Sequence, residues 1–192
     1  MPEQDDIEFD LDFDKAVAAL LYMANLGPTK FDQYKACKLL FLADKRHLVK
    51  FGRTITGDRY SALEYGPIPS GIRDEMKFLI ENNTGRLKEA FDVDRKYSHP
   101  RLIPKQHYDE ATLSKSDVEI IREIVDDFGK RSFDELKAIT HETAAYKKAW
   151  KPTDLEKSFS MKFIDFFEED EDAVAGVLEE VIENHTLKKA FA

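Results

Sequence analysis

The sequence predicts a mainly α-helical α+β fold, and three observations carry that reading. Residues 29–51 form the longest helix-periodic stretch and are apolar on nearly all sides, which marks a buried central helix. Between about 54 and 108 the pattern turns to β-branched residues broken by Gly and Pro, as in a small antiparallel sheet or ribbon. Beyond 108 helix-periodic stripes return and run on into a C-terminal helical extension.

Each element has its own signals. Residues 1–11 read as a frayed acidic arm in which Ile7, Phe9 and Leu11 alternate with acids. Asp12 or Asp14 can cap a first helix over 15–25, which Gly27 and Pro28 stop. Thr29 with Asp32 forms a short capping box for the central helix, and Gly52 ends it. Thr54 to Tyr65 reads as extended chain around a Gly57-Asp58 turn. Tyr65-Gly66-Pro67-Ile68-Pro69 excludes helix. Ser70 then caps a third helix to about residue 82. Two or three short strands are expected over 85–108, kept to edges by Pro100 and Pro104 and completed by the 55–63 segment. A fourth helix opens at Ser114 and ends at Gly129. Ser132 with Glu135 caps a fifth that points Phe133, Leu136 and Ile139 inward. Short helices follow over 144–150, 161–167 and 173–184. The expected organisation is an acidic arm (1–11), a domain over 12–151, and an acidic helical extension (152–192) packed on it.

Within the central helix Asp44 is a misfit. On a helical wheel it falls among Cys37, Phe41, Leu48 and Phe51. A carboxylate there costs free energy unless it is hydrogen-bonded. The expected donors are the backbone N–H groups of the 65–66 turn, or the helix start at Ser70.

Composition bounds the function. The chain has 192 residues, 42% hydrophobic and 35% charged, which suits a globular protein in water. Its longest nonpolar run, 16–24, is too short to span a bilayer. The single cysteine, Cys37, and an acidic rather than basic start point to the cytoplasm. A net charge of −9 argues against general nucleic-acid affinity. The charge is unevenly spread: residues 28–108 carry sixteen Lys and Arg against ten Asp and Glu, while residues 168–172 are all acids. Lys45, Arg46, Lys50, Arg53 and Arg59 cluster at the end of the central helix and in the loop after it, either as a binding patch for an acidic partner or for phosphate or as a solvated helix end.

The chemistry-bearing motifs are sparse. The sequence has no phosphate loop, no His-Glu-x-x-His or paired-cysteine metal pattern, and no nucleophile elbow. His141 beside Glu142 is either an acid/base or partner-binding group or a structural histidine at a helix end. No catalytic residue, metal or cofactor is assigned, and an enzyme is not expected.

The stretch Lys38-Leu39-Leu40-Phe41-Leu42-Ala43-Asp44 resembles the "KLLYLAD" helix of the Panacea domain, the SocA-like or phage-associated antitoxin family. The resemblance continues through Gly52, Ile55-Thr56-Gly57 with Tyr60, Tyr65-Gly66-Pro67-Ile68, Leu113-Ser114, Thr140-His141 and Trp150, covering roughly residues 14–151. It implies a mainly helical α+β antitoxin that binds and blocks a cognate toxin encoded in the same operon. It supplies no catalytic residues. One relative delivers its toxin to an ATP-dependent protease, so such a protease is an implied second partner. The alternatives are an operon-regulating or phage-associated nucleic-acid-binding protein and an unassigned enzyme.

Overall fold

Two aspartates set the starts of the first two helices. Asp12 caps α1 (Phe13–Asn25) by accepting from Lys15 N–H. The expected box of Thr29 with Asp32 does not form: Asp32 is itself the cap of α2 (Gln33–Phe51), accepting from Lys35 N–H, while Thr29 Oγ1 donates to Gly129 O and accepts from Lys35 Nζ. Gly52 closes the helix with φ +72°. The computed structural model describes residues 6–109, 111–167 and 171–190, with only the backbone described at 171–175 and 188–190.

The chain is a mainly helical α+β fold built around α2, as the sequence predicts. Leu39, Leu40, Phe41, Ala43 and Leu48 are fully buried. They pack against α1, α3 (Ser70–Asn82), α4 (Lys115–Phe128), α5 (Phe133–His141) and α7 (Glu171–Ala190). The α4 and α5 starts carry the capping boxes Ser114/Asp117 and Ser132/Glu135. Between α5 and α7 lie α6 (Ala144–Ala149) and a 3-10 turn (Phe163–Phe167) that puts Phe163, Phe166 and Phe167 into the core. Among the described residues no helix is long and apolar enough to cross a membrane.

The strands depart from expectation. Strands β1 (Tyr60–Leu63) and β2 (Gly66–Pro69) form a hairpin in register Leu63↔Gly66 and Tyr60↔Pro69. With β5 (Phe159–Ser160) on the other side of β1 they make a three-stranded antiparallel sheet. Strands β3 (Phe91–Asp94) and β4 (Arg101–Pro104) form a separate two-stranded ribbon, and the outer side of β4 bridges to Asp32 with Leu102 N–H donating to Phe31 O at 2.8 Å, so the 55–63 segment does not complete their sheet. The reason is competition for β1. Its free edge is taken by β5, 96 residues and more downstream, with Met161 N–H donating to Tyr60 O at 2.9 Å. The two prolines of β2 lack donors and suit an outer strand.

Two further expectations are corrected. Ser70 does not cap α3, because it is already helical and its hydroxyl faces that of Ser61 at 3.0 Å. The cap is the carboxylate of Asp58, which accepts from Gly71 N–H at 3.0 Å and Ile72 N–H at 2.8 Å. The arm is not frayed where it is described. Ile7 is buried, Phe9 meets the edge of Phe163 at 5.1 Å, and Asp12 N–H donates to Thr56 O. Gly57 permits this, since a Cβ there would stand 2.0 Å from Asp10 O. Residues 1–5 and 168–170, which hold part of the predicted acidic arm and acidic run, lie outside the described residues.

Candidate functional site at the β1–β2 hairpin

Three donors from two helices hold the hairpin. Tyr34 Oη of α2 donates to Tyr65 O at 3.0 Å. Lys38 Nζ, one turn further along α2, donates to Pro67 O at 2.7 Å. Tyr146 Oη of α6 donates to Leu63 O at 2.8 Å. The backbone on both sides of the Glu64-Tyr65 tip is thus fixed by side chains of the helical body, and Tyr65 itself projects with 52% exposure.

Gly66 lies at the centre of this arrangement with φ +96°. A Cβ there would meet Lys38 Nζ and Thr140 Oγ1 at 2.9 Å and His141 Cδ2 at 3.2 Å. Thr140 is fully buried and donates to Leu136 O, and its carbonyl accepts from Thr143 Oγ1. His141 stacks on Tyr146 at 4.2 Å, and Tyr146 stacks on Trp150 at 6.0 Å. Lys38, Tyr65, Gly66, Pro67, Thr140, His141 and Trp150, scattered over the sequence, therefore meet in one place. Leu39 and Leu40 lie in the core behind them.

Lys38 is the chemically unusual member. It is fully buried, 4.8 Å from the centre of the Tyr34 ring, with no carboxylate in an ion pair among the described residues. The neighbouring buried Lys35 finds three acceptors, Thr29 Oγ1, Gly129 O and Arg131 O, whereas Lys38 has the Pro67 carbonyl. Burial pushes the Lys38 amine down to about 7. Burial, followed by the charges of Lys137 and Lys38, also lowers His141, whose Nε2 is buried without a hydrogen-bond partner among the described residues.

The lowered amine predicts a pH dependence. An unfolded chain binds a proton at Lys38 up to about pH 10.5, whereas the folded chain releases it near 7. Between those values the unfolded state holds more protons, so stability rises with pH. The Cys37 thiol, pushed up to about 12 by burial, acts the opposite way above its ordinary value of 9.0. Burial also lowers the Lys35 amine, which acts in the same direction as Lys38, so over pH 7 to 9 urea melts should show a gain of about 2 kcal/mol, most of which is lost in Lys38→Met.

Asp44 and Gly57 belong to a second cluster. Asp44 is fully buried and accepts from Ile55 N–H at 2.8 Å, Thr56 N–H at 3.0 Å, Thr56 Oγ1, and Tyr60 Oη at 2.8 Å. Burial pushes its carboxyl up, and these hydrogen bonds pull the other way. The expectation that the 65–66 turn or Ser70 supplies the donors is corrected. Gly52 reverses the chain at the end of α2, which lays the 54–60 loop against the same face as Asp44. The group that reaches the hairpin from α2 is Lys38.

The five basic residues do not make one patch. Arg46 pairs with Asp127 and Glu123, Lys50 with Glu119, and Arg53 with the buried Asp117. Lys45, Arg46 and Lys50 line a groove of about 380 Å³ floored by Leu42, Val49, Ile124 and Phe128. Arg59 lies elsewhere, in a cleft of about 570 Å³ beside the N-terminal arm. Asp117 also faces His47 Nε2 and Lys15 Nζ at 3.0 Å. Its burial opposes ionisation, but His47, the Ser114 N–H and Lys15 hold its carboxyl far below the usual range.

Sequence reasoning missed Tyr34, Tyr146, Lys137 and the outward turn of Phe133. Phe133 is 45% exposed, stacks on Tyr34 at 4.1 Å and approaches Tyr65 at 6.0 Å. Lys137 Nζ sits 5.1 Å from the Tyr65 ring centre. The available signal was position: Phe133 directly follows the cap Ser132, so it sits at the rim of the core. Among the described residues no group of three His, Cys, Asp or Glu is placed to hold a metal ion.

The family model for the antitoxin SocA-like, Panacea domain matches residues 37–151. The chain belongs to this family. The matched segment starts beside Lys38 and ends beside Trp150, so it takes in the hairpin, the Gly66 surroundings and the Asp44 cluster. Tyr34, α1 and everything from β5 onward lie outside it. No curated protein and no solved structure matches the chain.

Proposed function

We propose that this Panacea-domain protein is an antitoxin that neutralises a cognate toxin, encoded beside it, by direct protein–protein contact. The observation that carries the reading is the family match across residues 37–151. The site chemistry supports it. The buried polar groups of the motif, Asp44, Lys38 and Thr140, bond to the chain's own backbone and hydroxyls, which is the work of a scaffold. What faces outward is a fixed aromatic tip, which suits a binding surface better than a reaction centre. We read the chain as non-enzymatic and cytoplasmic, with residues 12–151 as the binding domain and 152–192 packed on it. Delivery of the toxin to an ATP-dependent protease is compatible with the same contact.

Expression of the adjacent gene alone should arrest growth, and co-expression of this chain should restore it. Unchanged toxin levels on rescue indicate blocking, and toxin loss that depends on a protease indicates delivery. A harmless neighbour contradicts the proposal. The regulatory alternative draws on the basic cluster, three members of which are ion-paired within the chain. A gel shift of upstream DNA at physiological salt would favour it.

A further inference from the structure

We propose that Tyr65 and Phe133 form the shelf on which the toxin docks, and that the toxin meets it with an apolar side chain flanked by a carboxylate directed at Lys137. The proposal rests on the antitoxin reading and names the surface through which it acts.

Exposure together with ring-to-ring contact singles out this pair. Large apolar side chains are also exposed at Phe78, Tyr97 and Ile103. Among the described residues, however, Tyr65 and Phe133 are the two exposed rings that touch each other. They come from the hairpin tip and the first residue of α5, and Tyr34 of α2 backs them with its ring 4.1 Å from that of Phe133. Adjoining aromatic rings supply contact area that interface hot spots favour.

The shelf is also rigid before any partner arrives. The carbonyls of Leu63, Tyr65 and Pro67 are held by Tyr146, Tyr34 and Lys38. A surface already fixed loses little conformational freedom on binding, so more of the contact energy appears as affinity.

Charge identifies the partner's chemistry. Around the shelf, Arg131 is paired with Glu135 and Lys147 with Glu142. Lys137 has no ion pair among the described residues and lies over the Tyr65 ring. The carboxylates nearby are Asp32 and Asp134, which act on Tyr34, and Glu64 at the tip, which acts on Tyr146. The half-buried Lys137 thus places a cation with no ion pair among the described residues at one end of the shelf, and Asp32 and Asp134 make the Tyr34 end negative. A carboxylate on the partner complements the first, and an apolar anchor covers the rings between. The groove lined by Lys45, Arg46 and Lys50 offers less, because Arg46 and Lys50 are already neutralised by acids of α4.

The test uses the full chain and the purified product of the adjacent gene, with affinity read by titration calorimetry and folding by thermal melts. Phe133→Ser should weaken binding about 30-fold, and Lys137→Glu about 10-fold with most of the loss removed by added salt. Phe78→Ser and Ile103→Ser, exposed elsewhere, should bind as the parent chain does. Melting temperatures of Lys137→Glu and the two controls should not move, so an unstable Phe133→Ser leaves Lys137→Glu to decide. If the parent chain binds and both shelf variants bind equally well, the shelf is wrong and the antitoxin reading survives. If the parent chain itself neither binds nor rescues growth, both fall. If Phe133→Ser converts a dimer of this chain to monomer in sedimentation and leaves toxin affinity intact, the shelf joins copies of the chain and the proposal is overturned.

Discussion

Asp44→Ala should lower the unfolding free energy by about 3–5 kcal/mol, because four donors would lose their acceptor in a dry site. For a chain of this size that corresponds to a fall in Tm of about 10 °C. The donors are fixed to a loop, the N–H groups of Ile55 and Thr56 and the hydroxyls of Thr56 and Tyr60, so they cannot turn to water without unpacking it. Asp44→Asn should cost clearly less. Its oxygen can keep the two backbone N–H groups, and the two hydroxyls can rotate to accept from the amide. Because Asp44 lies away from the hairpin tip, either variant should retain toxin affinity when measured well below its Tm. A Tm unchanged in Asp44→Ala, together with lost binding, would place Asp44 at the interface instead of in the core.

Gly66→Ala is the second large effect, at about 2–4 kcal/mol, the sum of a left-handed backbone and an overfilled site. The φ of +96° is unfavourable for any side chain. The new Cβ would also press on Lys38 Nζ and Thr140 Oγ1, each of which already holds a backbone carbonyl. Moving either group releases the hairpin or the end of α5. Unlike Asp44→Ala, this change should also weaken toxin binding at temperatures where the chain stays folded, since Tyr65 is the next residue. Lys38→Ala is itself costly, since it leaves Pro67 O unbonded and a cavity beneath the hairpin. Combined with Gly66→Ala, however, the two losses should sum to less than their separate values, because the shortened side chain vacates one of the two closest contacts.

The contrast between these two residues shows what the sequence makes legible. Local features were readable: the caps Asp12, Ser114 and Ser132 and the stop at Gly52 depend on residues within one turn of each other, although the box expected of Thr29 with Asp32 gave way to Asp32 as the cap itself. The misfit of Asp44 was readable as well, since helical periodicity alone puts it among apolar neighbours. Its donors were not, because they depend on how the loop after Gly52 folds back. Lys38 was legible as the first residue of the motif but not as a buried group. A lysine at the edge of an apolar run reads as solvated, and only the tertiary fold buries it against Pro67. The pairing of β1 with β5 was equally out of reach, since a two-residue strand so far along the chain carries no pattern of its own. Phe133 was placed inward by its spacing from Leu136 and Ile139, yet the first residue of a helix can leave the core while its successors stay.

The central claim is that this chain neutralises its partner by holding it. The most direct measurement is sedimentation of the full chain mixed with the purified product of the adjacent gene, at physiological salt and micromolar concentration. The account predicts a single faster-moving complex of fixed stoichiometry, which dissociates at higher concentration in Lys137→Glu than in the parent chain and is unchanged in Phe78→Ser. Two species that sediment independently, from a pair in which this chain still relieves the growth arrest, would contradict it.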